Sequence, residues 1–97
     1  MRHATEVRNQ IGPLLDRLIR QLDEEGSATQ RAFFDRIRRS LDHARYDLDL
    51  ATSIRELSSS SAVGFRFSSD ADVLMTRILE KAEELARELS APPQVRH

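Results

Sequence analysis

The sequence predicts an all-α fold, an antiparallel three-helix domain with one long central helix that assembles into a larger helical bundle. Three segments carry apolar residues at steps of three and four, the period of a helix with one greasy face. Cap and stop residues fall between those segments. Strand-like alternation is confined to Val63, Phe65 and Phe67, too short a run to build a sheet.

The first helix is expected over about 4–25, where Val7, Ile11, Leu14, Leu15, Leu18, Ile19 and Leu22 make its apolar face. Gly12-Pro13 interrupts that face. Proline cannot donate to the carbonyl of Asn9, so a kink is expected there. Gly26 supplies a left-handed stop, after which Ser27 and Gln30 stand at capping-box spacing. So short a junction predicts a helical hairpin.

A long second helix is expected over 27–57, a stretch without glycine or proline. Phe34, Ile37, Leu41, Ala44 and Leu48 form a heptad seam along it. A second row of Phe33, Leu50, Ile54 and Leu57 widens the apolar stripe beyond what its neighbours can cover. The serine-rich stretch Ser58 to Ser69 is a connection. A third helix follows over 70–90, with Ser69 and Asp72 as its cap and Ala71, Met75, Ile78, Ala82, Leu85 and Leu89 as its seam. Pro92-Pro93 end it, giving one domain over 1–91 and a frayed tail over 92–97.

Composition narrows the function. With 97 residues the core is thin, so burying a leftover stripe against another copy is a ready source of stability. A formal net charge of -1 gives no overall attraction to nucleic acid or anionic lipid. Cysteine is absent, which removes thiolate nucleophiles and cysteine metal sites. Arg2, Glu6 and Arg8 stand where a signal peptide needs an apolar run, and no stretch approaches a membrane span, so a cytoplasmic protein is expected.

Chemical motifs are sparse. His43 and Asp47 are four apart and offer two metal ligands, fewer than a site requires. His43 is also a conceivable phosphoacceptor, as in histidine phosphotransfer domains, but Asp42, Ala44 and Arg45 lack the flanking pattern of those families. No serine sits in a glycine-rich elbow and no phosphate loop is present. Neither an enzyme nor a bound cofactor is expected.

Arg31, Arg36, Arg38, Arg39 and Arg45 could track a phosphate backbone, yet Asp35, Asp42 and Asp49 recur at ion-pair spacing and neutralise them. Nucleic acid is therefore the weaker alternative. Asp23, Glu24 and Glu25 crowd the C-terminal end of the first helix, either compensated by the next helix or offered to a basic partner. The expectation is a non-enzymatic protein-binding module, foremost a homo-oligomer. Phe34, Ile37, Leu41, Ala44 and Leu48 form its self-association seam, and Val63, Phe65, Arg66 and Phe67 a candidate partner-binding loop.

Overall fold

The computed structural model describes residues 2–59 and 65–90; residues 1, 60–64 and 91–97, which include the tail expected over 92–97, lie outside it. The described residues form four helices and no strand: α1 (Arg2–Glu24), α2 (Ala28–His43), α3 (Asp47–Ser58) and α4 (Ser69–Ser90). The fold is all-α, but the long central helix expected over 27–57 is two helices, which corrects three to four.

The break falls where the apolar rows change phase. Phe34, Ile37, Leu41 and Ala44 are buried on α2, and Leu50, Ile54 and Leu57 on α3. Taken over all their members, at about 100° per residue, an unbroken helix would set the second row roughly 150° around from the first. One straight rod cannot aim both rows at one core. A reversal at Ala44 to Tyr46, both in extended backbone conformations, brings them together.

The main packing pairs are α1 with α2 and α4 and α3 with α2 and α4, and α1 also touches α3 across the bundle. Pairings of Asp23 with Arg31 and of Asp16 with Arg38 show α2 running back along α1. Arg36 meets Glu56, so α3 in turn folds back along α2. The start of α4 sits beside the α1–α2 turn, where the Ser68 hydroxyl donates to Glu25. One continuous core results, running from Val7 and Ile11 through Phe34 and Ile54 to Ile78 and Leu85. Full burial of each large aliphatic chain in it contributes about 1.5–3 kcal/mol before chain entropy is counted.

Helix α1 runs unbroken through Gly12 and Pro13. Pro13 and Asn9 both lie on the exposed flank, so the carbonyl that loses its amide donor is on the solvent side of the helix. Gly12 is buried for a different reason. The Arg38 guanidinium lies across it, and a Cβ there would come within 3.2 Å of a guanidinium nitrogen. That close approach lets Arg38 bridge Asp16 on α1 and Asp42 on α2.

The caps differ from the sequence expectation. Ser27 makes no side-chain cap bond, and Gln30 donates instead to the Arg66 carbonyl at 2.9 Å, fastening the segment before α4. Ser68, one residue earlier than expected, caps α4 by accepting from the Ala71 amide at 3.1 Å. Gly26 does stop α1. Its φ of 75° allows its own amide to reach the Asp23 carbonyl and the Ser27 amide to reach that of Leu22, a Schellman pair.

Nothing lies within 4 Å of a Cβ built on Gly26, so a substitution there meets only backbone strain. Gly26→Ala is expected to cost about 1 kcal/mol and Gly26→Asn less. Urea unfolding followed by circular dichroism checks this; an unchanged midpoint for the alanine variant contradicts the left-handed stop.

Candidate functional site

The corner between α2 and α3 is the least ordinary local structure. In an unbroken helix the carbonyls of Leu41 and Asp42 would accept from the amides of Arg45 and Tyr46. Here neither bond forms: the Leu41 carbonyl accepts from the nearer Ala44 amide at 3.3 Å, and side chains supply the remaining partners. Arg8 donates from Nε to the Leu41 carbonyl at 3.2 Å, and from a terminal nitrogen to the carbonyls of Asp42 at 3.3 Å and Ala44 at 2.6 Å. The amides of Arg45 and Tyr46 donate to the Asp49 carboxylate at 3.2 Å and 3.3 Å.

Each substitute also suits the local field. A guanidinium at the C-terminal end of α2 and a carboxylate in the first turn of α3 both oppose the helix dipoles. Bonds to a charged group contribute about 1.5–3 kcal/mol when partly shielded, as the Arg8 contacts are. Sequence reasoning missed both residues. Arg8 stands 33 positions from Leu41, beyond any local pattern. Asp49 was legible only as an ion-pair partner of Arg45, whereas it takes up the Arg45 backbone.

Tyr46 and Leu48 project from this corner, 69% and 74% exposed. Val73, 61% exposed near the start of α4, is the other large apolar residue left open among the described residues. Of the seam expected to self-associate, Phe34, Ile37, Leu41 and Ala44 are covered by the chain itself, and Leu48 alone faces solvent. The four buried members make intramolecular contacts.

Beside the corner, Ser40, His43, Ala44, Asp49, Thr52, Ser53 and Glu56 line an open groove of about 340 Å³. The His43 Nδ1 lies 2.8 Å from the Arg39 carbonyl, so the neutral ring donates there and keeps Nε2 as its acceptor. Two carboxylates share the groove, an arrangement that repels a phosphoryl group. Asp47 opens α3 and His43 ends α2, so the two stand on different helices. Among the described residues no three histidine, cysteine or acidic side chains converge to hold a metal ion.

At the opposite end Phe65 and Phe67 are half-buried against α2. Phe65 meets Phe33 edge-on at 5.2 Å, and Phe67 lies 6.0 Å from Phe34. The Arg36 guanidinium sits 5.5 Å from the Phe33 ring centre. These rings close the core over the α1–α2 turn; Arg66 between them is exposed, and Val63 lies outside the described residues.

Several charges pair within the chain. Arg31 reaches Asp23 at 3.4 Å and Asp35 at 3.3 Å, and Arg38 holds Asp16 and Asp42. The hydrogen bond to Asp16 raises the Arg38 pKa further above its already high value. Glu25 accepts from Ser68 and Gln21, and these bonds hold its carboxyl below the ordinary glutamate range. No described helix is long and apolar enough to cross a membrane. No protein family, curated protein or solved structure matches this chain.

Because folding lowers the Glu25 pKa, its contribution is complete above the unfolded value of about 4.3 and fades as pH falls through the lower folded value. Glu25→Gln should therefore flatten the acid limb of the stability curve. Denaturant midpoints taken between neutral pH and pH 3 test this, and an identical acid limb in both proteins contradicts it.

Proposed function

We propose that this chain is a non-enzymatic, protein-binding helical module whose first partner is a second copy of itself, so that the bundle becomes part of a larger helical assembly in the cytoplasm. The observation that supports this reading is the exposed pair at the corner. Scattered apolar residues on a surface are ordinary. Leu48, however, is the outlying member of a heptad seam whose other members are buried, and Tyr46 stands two residues away. Tyrosine and leucine side chains placed together suit a protein contact better than a polar ligand.

Chemistry at the groove supports catalysis less well, since its carboxylates have no metal-forming company. Nucleic-acid binding loses ground for a similar reason: Arg31, Arg36 and Arg38 face carboxylates of this chain. Three of the five arginines in that cluster thus carry a carboxylate that would oppose a phosphate backbone.

Light scattering coupled to size exclusion tests the proposal. A mass above the 11.1 kDa of one chain is expected at high micromolar concentration. Leu48→Asp should return that mass to a single chain with helical circular dichroism intact, because Leu48 contributes nothing to the core. Leu41→Asp should unfold the chain instead, since Leu41 is fully buried. A single-chain mass for the native protein at every concentration contradicts self-association.

A further inference from the structure

We infer that the α2–α3 corner is a releasable hinge, latched by Arg8 and Asp49, and that its opening fuses the two helices and exchanges α3 and α4 between two copies of the chain. The inference rests on the self-association just proposed and assigns it a mechanism.

The hydrogen bonds carry the argument. The carbonyls of Leu41 and Asp42, held by Arg8, and the amides of Arg45 and Tyr46, held by Asp49, are the two halves of two missing helix bonds. The third carbonyl Arg8 holds, that of Ala44, would accept from the Leu48 amide in a continuous helix. Release of the latch therefore leaves no backbone group stranded, because the groups are already mutual partners at helical spacing. Nothing in the hinge resists straightening either: Ala44, Arg45 and Tyr46 include no glycine or proline.

Geometry then selects the partner. In the straight rod the α2 row and the α3 row face opposite sides, so α1 of the same copy cannot serve both. The α1–α2 unit of a second copy offers to α3 and α4 the same surface that they leave, so each buried contact of the closed chain re-forms between copies. The occupant of the open form is thus an identical chain, and only the hinge changes its bonding.

Arg8→Met and Asp49→Ala test the latch. Each is expected to raise the dimer association constant by roughly tenfold or more, the factor that loss of a hydrogen bond to a charged group implies. The dimer mass should be twice 11.1 kDa, with helical circular dichroism at or above the native level. Spin labels at Gln30→Cys in one chain and Arg66→Cys in another, two positions joined by a hydrogen bond in the closed chain, should lie close together in the mixed dimer. Inserting Gly-Ser-Gly after Arg45 should return the variants to single chains.

A dimer in which positions 30 and 66 approach only within one copy, or one that survives the insertion, overturns the exchange and leaves self-association standing. Variants that stay folded at single-chain mass overturn the latch. Should both variants lose their helical signal, the insertion in the native chain decides: after refolding at high concentration it should yield less dimer than the native protein, and equal yields overturn the hinge.

Discussion

The reversal at Ala44 to Tyr46 is the constraint on which the rest of the structure depends. Two apolar rows that are out of phase along one stretch of chain must face one core, and only a break allows it. The break strands backbone donors and acceptors at two helix ends, which is costly unless they are satisfied. Arg8 from α1 and Asp49 from α3 satisfy them. The first helix therefore does more than cover the second: it holds the end of that helix in place. Among the described residues no buried side-chain nitrogen or oxygen is left without a partner.

A second tie crosses the same pair of helices nearer their middle. Arg38 spans α1 and α2 because Gly12 leaves room for its guanidinium, and Asp16 and Asp42 wait on either side. Exposed ion pairs ordinarily contribute little, but this arginine is largely covered and makes contacts in two directions. The turn end is fastened differently, by the left-handed Gly26, by the bonds from Gln30 to Arg66 and from Ser68 to Glu25, and by the Phe33, Phe34, Phe65 and Phe67 rings. Polar contacts set the corner, and aromatic packing sets the turn.

Much of this was legible in the residues themselves. Helical period placed α1, α2 and α4, and Gly26 marked its stop, because those signals are local and repeat along the chain. The buried row Leu50, Ile54 and Leu57 was visible too, but it read as a wider stripe on one helix rather than as a new phase. Without glycine or proline at 44–46, nothing nearby announced a break. The decisive contact comes from Arg8 across the fold, and a long-range cap has no local pattern. For the same reason Ser27 and Gln30 looked like a capping box, whereas Gln30 is drawn away by Arg66. The candidate seam was half legible: its members are apolar and in register, yet burial within the chain separates Leu48 from the other four.

The folded-back course of α3 decides whether the two apolar rows meet in one core. Spin labels at Arg36→Cys and Glu56→Cys, with the distance between them read by pulsed electron resonance in dilute solution, measure it directly. The side chains of these two residues meet at 4.0 Å, so a short separation within one chain is predicted. A separation near 30 Å, the length of twenty residues of straight helix, in a chain shown to be monomeric under the same conditions would contradict it.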